Sequence, residues 1–188
     1  MTPRATPRGS ASLDASLNAL IRDVVDFPKS GVVFKDITPL LADHTGFSAV
    51  VEALAVAGRD VNGDVVVDKV VGMEARGFIL AAPVALALGA GFVPVRKPGK
   101  LPGPTFAQSY ELEYGEATLE LHQDAIGPGE RVLLVDDVLA TGGTVGATRA
   151  LVEQCGGSVT AAAVLLELSF LNGREYVGDL PLHAIRVV

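Results

Sequence analysis

Apolar residues recur at helical spacing in the first third of the chain. Those between Leu13 and Val24 predict an amphipathic helix that ends before the Phe27-Pro28 pair. Those between Phe47 and Ala57 predict a second helix, for which Thr45 is a candidate cap. Residues 1–12 are polar and show no periodicity, so they are predicted to form a disordered tail.

From Val65 onward the pattern changes to short apolar runs. Residues 65–71 and 131–135 are rich in Val and Leu, which is typical of buried parallel strands. A predicted helix over 77–88 and a strand over 91–95 complete a β-α-β unit. We therefore predict an α/β fold, an open and mostly parallel sheet with flanking helices, in a single domain over residues 13–188. Residues 13–40 would form a small hood over one end of the sheet.

Two further segments interrupt this pattern. Residues 96–104 are rich in cations, Pro and Gly and predict an irregular loop. Residues 110–114 and 118–122 alternate with period two around Gly115, which predicts a flexible hairpin with one solvated face. Residues 98–106 contain three prolines and two glycines, so this part of the loop is predicted to be a mobile lid.

Charge and composition narrow the possible partners. The formal net charge is −7, from 22 acidic and 15 basic residues, and a nucleic-acid-binding protein needs a cationic face. We therefore expect neither nucleic acid nor membrane as a partner. The uncharged stretch over 77–95 is interrupted by Gly and Pro, which favours a buried helix and strand over a membrane span. The single Cys155 excludes an internal disulfide framework and suits a cytoplasmic protein.

The clearest chemical signal is the stretch from Val132 to Thr144. A buried strand delivers Asp136 and Asp137 to its carboxyl end, and a Thr-Gly-Gly-Thr loop then enters a helix. Paired glycines let backbone N–H groups converge, and the helix N-terminus favours an anion, so the loop predicts a phosphate cradle. The two carboxylates can accept hydrogen bonds from ribose hydroxyls or hold a hydrated Mg²⁺.

Together these features indicate a site for a ribose 5-phosphate. The stretch lacks the Gly-Lys-Ser/Thr of a Walker loop, and its acids precede its glycines, the reverse of a dinucleotide-binding fingerprint. The plain alternative is a Gly-rich turn beside two solvated acids. It is disfavoured because two acids directly after an apolar strand cost free energy unless a ligand uses them.

This stretch resembles the motif that binds phosphoribosyl pyrophosphate (PRPP) in type I phosphoribosyltransferases. The similarity runs from about Ile21 to Arg174 and is strongest to adenine phosphoribosyltransferases. It is carried by ordered segments at residues 26–39, 74–78, 96–102, 110–115 and 167–174. Val138 and Ser30 depart from residues common in the family, and neither position is assigned a role.

The resemblance implies roles for the polar residues. Asp136 and Asp137 would serve the ribose hydroxyls. The 5′-phosphate would be held by Ala140, Thr141, Gly142, Gly143 and Thr144. The pyrophosphate would be faced by Arg76, Arg96, Lys97 and Lys100. Taken alone, Arg96, Lys97 and Lys100 would more often form a solvated loop face, and Arg76 would more often be a surface turn residue.

The resemblance also implies an adenine pocket. Phe34 and Leu168 would stack on the base, and main-chain groups of Val33 and Lys35 would bind its edge. Glu113 would be the acid/base residue, although the sequence alone leaves it equally open as an ordinary exposed acid. A cis peptide bond between Glu74 and Ala75 is implied as well.

The implied reaction joins adenine to PRPP and yields AMP and pyrophosphate, a step of purine salvage. Mg²⁺ would be bound mainly through PRPP and water, with no protein metal site, and a homodimer is expected with Arg96 near the partner's active site. Two alternatives stay open: a phosphoribosyltransferase for another purine, and a PRPP-sensing regulator of the same fold. The regulator would need an added DNA-binding element and a basic face, neither of which the sequence contains.

Overall fold

A computed structural model describes residues 8–111 and 115–188 of the protein, with side chains described from Leu13 onward. The chain divides into two compact units, residues 1–51 and 52–188. Over the described residues, none of the helices combines the length and apolar character needed to cross a membrane.

The first unit opens with helix α1 (Arg8–Leu20), followed by an antiparallel hairpin of β1 (Arg22–Val25) and β2 (Val33–Asp36). The prediction of a helix through Val24 is wrong, because Val24 pairs with Phe34 across the hairpin. A short apolar run fits a helix or a strand equally well, and here pairing with β2 satisfies the extended backbone. In the turn, the Gly31 N–H donates to Asp26 Oδ1 at 2.7 Å.

The first helix begins earlier than predicted, and the first unit ends later than predicted. Helix α1 begins at Arg8, so residues 8–12 are helical rather than tail, and residues 1–7 lie outside the described part. Polar residues at the start of a helix carry no apolar periodicity that would predict them. The unit includes α2 (Thr38–Ala42) and much of α3 (His44–Ala55), and so extends past residue 40 to Val51.

Contacts at the start of α3 explain why the first unit extends past residue 40. Gly46 lies against the side chains of Leu20 and Leu40, which joins α3 to the earlier helices of the unit. The residue that caps α3 is Asp43, whose Oδ1 accepts from the Gly46 N–H at 2.7 Å, rather than Thr45.

The second unit is built on a five-stranded parallel sheet. After a short 3₁₀ turn (Val56–Gly58), its strands in spatial order are β4 (Gly91–Val95), β3 (Lys69–Met73), β7 (Arg131–Leu139), β8 (Ser158–Glu167) and β9 (Leu182–Val187). The central strand β7 is covered on both faces, and residues 132–135 are fully buried. The predicted fold class is confirmed.

Three helices and a hairpin complete this unit. Helix α4 (Arg76–Leu88) packs on β3 and β7, and α5 (Gly143–Gln154) packs on β7 and β8. A 3₁₀ turn (Ser169–Leu171) leads into the short α6 (Gly173–Val177). The predicted hairpin around Gly115 is present as β5 (Thr105–Glu111) and β6 (Glu116–His122). It begins before residue 110, so residues 105 and 106 of the predicted lid belong to a strand.

An ion pair marks the amino end of the sheet. The Arg131 guanidinium donates to both oxygens of Asp68, with Nε–Oδ2 at 3.0 Å and Nη2–Oδ1 at 2.9 Å. These hydrogen bonds lower the pKa of Asp68 to about 2. Strand β3 begins directly after Asp68, at Lys69 rather than at Val65 as the apolar run predicted. The pair lies at the opposite end of β7 from the acidic residues that follow.

Candidate active site

The carboxyl end of β7 carries the two predicted acids. Asp137 is buried and Asp136 is partly buried, both next to fully buried apolar residues of the same strand. The Asp137 N–H donates to Asp136 Oδ1 at 2.8 Å, which fixes the Asp136 carboxylate against its own backbone. Two carboxylates are therefore held side by side where the strand leaves the core.

The turn into α4 lies against these carboxylates. Arg76 Nη2 lies 2.8 Å from Asp137 Oδ2, an ion pair that puts a cation beside the more buried acid. A Cβ on Gly77 would stand 2.7 Å from Asp136 Oδ1 and 3.1 Å from the Val135 carbonyl oxygen. Only glycine allows the turn to come this close to β7. The peptide bond between Glu74 and Ala75 is cis, as the resemblance implies.

The position of Asp136 shifts its pKa. Burial raises the pKa of Asp136 well above its ordinary value, and the like charge of Asp137 raises this pKa further, while Arg76 opposes the shift. The protein therefore spends folding free energy to keep two acids in this position. A cation or a pair of hydroxyl donors at this point would relieve the repulsion.

A third acid, Glu74, organises the neighbouring cations. Its Oε2 accepts from the Lys97 N–H at 2.9 Å and from Arg96 Nε at 3.2 Å. These interactions, the Lys97 hydrogen bond first, lower the pKa of Glu74 and keep it ionised. The Arg96 guanidinium also lies over the Phe78 ring, 5.9 Å from its centroid. No local sequence pattern predicts this role for Glu74, because its partners lie more than twenty residues further along the chain.

The Gly-rich loop enters α5 as predicted. Gly142 has a φ of +88°, a conformation that L side chains rarely adopt, and the helix begins at Gly143. The first N–H groups of a helix have no acceptor within the helix, so they are available to an anion. Residues 140–144 are called the phosphate loop below.

Tyr110 of β5 packs on this loop. A Cβ on Gly143 would stand 2.6 Å from Cδ2 of the Tyr110 ring, and Thr144 Oγ1 donates to the Tyr110 hydroxyl at 3.2 Å. This contact of Tyr110 was not predicted, since an aromatic residue in an alternating strand gives no sign of a contact thirty-four residues away.

A cavity of about 640 Å³ brings the predicted residues together. Its walls include five of them: Arg76, Lys97, Asp136, Asp137 and Thr144. The remaining lining comes from Glu74, Ala75, Pro98, Tyr110, Glu116, Ala117, Thr118 and Leu119. Cations, acids and the start of α5 thus share one space, a combination that suits a phosphorylated sugar.

Other predicted residues lie elsewhere in the structure or outside its described residues. Arg96 and Lys100 do not line this cavity; Arg96 pairs with Glu74, and its Nη1 donates to the Lys100 carbonyl oxygen at 3.3 Å. Leu168 follows β8, and its N–H donates to the Leu139 carbonyl oxygen at 2.9 Å. Glu113 falls outside the described residues.

The predicted adenine-edge residues belong to the first unit. The Phe34 ring packs edge-on against Phe27 with centroids 5.2 Å apart, and Lys35 Nζ lies 2.7 Å from Asp23 Oδ1. Val33 is half exposed at the start of β2.

Comparisons with known proteins agree with this geometry. Residues 41–176 match the family model of the phosphoribosyl transferase domain. An adenine phosphoribosyltransferase from Nocardioides sp. is 69% identical over 170 residues, which cover 90% of this chain and 92% of that protein. The crystal structure of adenine phosphoribosyltransferase from Rhodothermus marinus is 48% identical, with a TM-score of 0.87 over 95% of this chain and 99% of that one.

The chain belongs to the adenine phosphoribosyltransferase family. A further member, the Saccharomyces cerevisiae enzyme, was crystallised with adenine and an imino-altritol bisphosphate. It is 38% identical, with a TM-score of 0.87 over 94% of this chain and 99% of that one. As a member of this family, the protein is a glycosyltransferase.

The raised pKa of Asp136 leads to a stability prediction. Asp136→Asn keeps an oxygen that can accept the Asp137 N–H but removes one of two like charges. We expect the free energy of unfolding at pH 7 to rise by about 0.5–2 kcal/mol. The pKa of Asp136 is higher in the folded state, so the wild-type protein loses stability as pH rises through it. The advantage of the variant should therefore shrink as pH falls and vanish near the unfolded pKa, roughly pH 4.

Chemical denaturation between pH 4 and pH 8 measures this difference. The control is Asp68→Asn, which removes a carboxylate whose pKa is lowered. That variant should be destabilised at pH 7 rather than stabilised. A loss of stability in Asp136→Asn at pH 7 would show that repulsion by Asp137 does not govern the pair.

Proposed function

We propose that this protein transfers the 5-phosphoribosyl group of PRPP to adenine and releases AMP and pyrophosphate. The observation that carries the proposal is the shared cavity, where Arg76 and Lys97 face Asp136, Asp137 and the start of α5. A cationic wall suits a pyrophosphate, paired acids suit vicinal hydroxyls, and a helix N-terminus suits a monophosphate. PRPP carries these three groups on one ribose.

Each wall of the cavity has a proposed part in the reaction. The phosphate loop holds the 5′-phosphate, while Asp136 and Asp137 accept hydrogen bonds from the ribose hydroxyls. Arg76 and Lys97 bind the pyrophosphate, and we propose that Arg96 and Lys100 join them from the loop that follows β4. The bond from C1 to the pyrophosphate oxygen breaks, and its electron pair leaves with pyrophosphate. The bond from C1 to adenine N9 forms as positive charge on the ribose is stabilised by the two carboxylates.

Adenine is uncharged, so stacking and main-chain hydrogen bonds would bind it. We propose Phe34 and Leu168 for stacking and the backbone of Val33 and Lys35 for the edge of the base. Glu113 would accept the proton that adenine loses as N9 bonds to C1. These assignments rest on the resemblance of the surrounding segments to the family.

The acids also fit the Mg²⁺ that the family implies. Among the described residues, no group of three or more His, Cys, Asp or Glu side chains is placed to hold a metal ion. Mg²⁺ commonly keeps several waters and binds through one or two carboxylates plus substrate phosphates. Mg²⁺ would be bound mainly through PRPP and water, Asp136 and Asp137 could accept hydrogen bonds from those waters, and the ion would neutralise charge on the pyrophosphate.

The loop after β4 is proposed as the lid of the site. In this structure the loop is tied to the hairpin: the Gly99 N–H donates to Glu120 Oε2 at 3.0 Å, and the Gln123 N–H donates to the Pro104 carbonyl oxygen at 3.2 Å. The loop also carries Lys97 and Lys100, so its closure would bring cations onto the pyrophosphate and exclude water from the reacting ribose.

A base panel tests the proposed function. The purified protein with Mg²⁺ and PRPP should convert adenine to AMP, followed by the change in absorbance. Hypoxanthine, xanthine and guanine should react at a small fraction of that rate, because an oxo-purine presents a different edge. A preference for one of these bases would replace adenine as the substrate, and PRPP binding without turnover would favour a sensor.

We also propose a cytoplasmic homodimer. Helix α4 exposes Ile79 and Leu86 on one face, and Phe92 of the neighbouring strand β4 is partly exposed as well. Leu86 is 83% exposed, which is unfavourable for a leucine that no second surface covers. A second copy packing here would lie close to Arg96, which follows β4.

Sedimentation analysis tests this proposed interface. The wild-type protein should sediment as a dimer, and Leu86→Asp should shift it to a monomer. Val61→Asp, at a site that is more exposed and belongs to neither α4 nor β4, should leave the dimer intact. A fully active monomer at assay concentration would contradict the proposal.

A further inference from the structure

The start of α6 lies directly against the phosphate loop. A Cβ on Gly173 would come closer to the Ala140 carbonyl oxygen than any real Cβ atom does, and would stand 3.1 Å from the Gly142 nitrogen. Likewise, a Cβ on Gly142 would stand 2.6 Å from the Gly173 carbonyl oxygen. Two backbone segments are therefore in contact with no side chain between them. Backbone atoms cannot move aside as a flexible side chain would.

Tyr176 extends this contact into α5. A Cβ on Gly146 would stand 2.8 Å from Cε1 of the Tyr176 ring, and a Cβ on Gly142 would stand 3.0 Å from Tyr176 Cβ. The phosphate loop has two adjacent glycines, so it has few side chains of its own to pack and hold its shape. Residues 173–176, called the loop support below, supply that packing from outside.

A salt bridge anchors the loop support to the sheet. The Arg174 guanidinium binds both carboxylate oxygens of Glu167, with Nε–Oε1 at 3.0 Å and Nη2–Oε2 at 2.5 Å. Its Nη1 also donates to the Leu182 carbonyl oxygen at 3.3 Å. Glu167 is buried at the end of β8, and Leu182 begins β9. One side chain thus ties the loop support to two strands with a bidentate, directional pair.

We propose that Gly173 and Arg174 are positioning residues for the 5′-phosphate, an inference that rests on the proposed function. Gly173 holds the backbone of residues 140–142 in the conformation that aims its N–H groups at the phosphate, and Arg174 holds Gly173 in place. Neither residue touches the pyrophosphate side of the cavity, which is formed by Arg76 and Lys97. Loss of either should therefore weaken ligands that carry a 5′-phosphate and spare pyrophosphate.

The test compares two ligands in the same variants. Calorimetry on Gly173→Ala and Arg174→Ala measures the dissociation constants of AMP and of magnesium pyrophosphate. AMP should bind at least about 10-fold more weakly, because a small misplacement of binding groups has effects of this size. The dissociation constant of magnesium pyrophosphate should change less than about 2-fold, since the residues proposed to bind it lie elsewhere. In turnover, KM for PRPP should rise by a larger factor than kcat falls, and Arg174→Lys should recover part of the AMP affinity.

Gly178→Ala is the matched control. Gly178 ends α6 with a φ of +69°, and a Cβ there would meet nothing within 4 Å. The variant strains the same short helix without touching the loop, so it should lower the melting temperature and keep the ratio of AMP to pyrophosphate affinity.

The outcomes are distinguishable. An equal loss of affinity for both ligands, or an unchanged affinity for AMP in folded Gly173→Ala, would overturn the inference. If Gly173→Ala fails to fold, the ratio of AMP to pyrophosphate affinity in Arg174→Ala and Arg174→Lys tests the inference instead. Wild-type protein that binds pyrophosphate but not AMP would overturn the proposed function, and this inference with it.

Discussion

Asn in place of Asp137 is expected to leave the fold intact and to lower kcat by about 10²–10³-fold, the size found when a preorganised charge-stabilising group is removed. Asp137 is buried and ion-paired with Arg76. In the proposed reaction, its negative charge would lie beside the ribose as positive charge develops there. Asn is the same size but carries no charge, and it leaves the Arg76 guanidinium without its counter-ion. Binding of adenine should change little.

Steady-state kinetics and a thermal melt, run together, measure this effect. The control is Asp68→Asn, an acid that is also paired with an arginine but lies at the amino end of β3 and β7. The control should keep wild-type kcat. Wild-type turnover in Asp137→Asn would remove Asp137 from the mechanism, and a large drop in the melting temperature would make its role structural.

Ala in place of Arg76 is expected to raise KM for PRPP by about 10²-fold, since truncating one partner of a close charge pair costs several kcal/mol. Arg76 is ion-paired with Asp137 and lines the same cavity as Lys97. Pyrophosphate would lose a donor that suits its oxygens in pairs. KM for adenine should rise less than about 3-fold, because adenine carries no charge for Arg76 to bind.

Initial rates over a grid of PRPP and adenine concentrations separate the two constants. Arg131→Ala is the matched arginine control, since Arg131 pairs with Asp68 at the other end of the sheet. It should leave both constants unchanged. An equal rise in both constants for Arg76→Ala would indicate a distorted site rather than a lost pyrophosphate contact.

The part of the fold that the sequence predicted best is the stretch with the strongest local signals. Strand β7, its two acids and the Gly-rich entry into α5 follow one another along the chain, so apolar pattern and turn chemistry locate them together. Strand β1 was predicted as helix because its apolar residues continue the spacing of α1, and only pairing with β2 decides between the two.

The parts of the candidate site that were missed depend on distant contacts. Tyr110 reaches Thr144, Glu74 binds Lys97, and Gly173 touches Ala140. A tyrosine, a glutamate or a glycine at such positions has many ordinary uses, so its residue type carries no signal. The partner becomes visible only when the chain is folded.

The central position of β7 has a consequence for how the protein can change. Its acids stand at the end of a strand that is hydrogen-bonded on both sides, to β3 and β8, and its amides should exchange with solvent only when the whole sheet opens. The hairpin of β5 and β6, by contrast, forms a two-stranded sheet of its own. Substitutions in the hairpin should therefore be tolerated without opening the sheet that carries Asp136 and Asp137, whereas a substitution within β7 would destabilise the whole second unit.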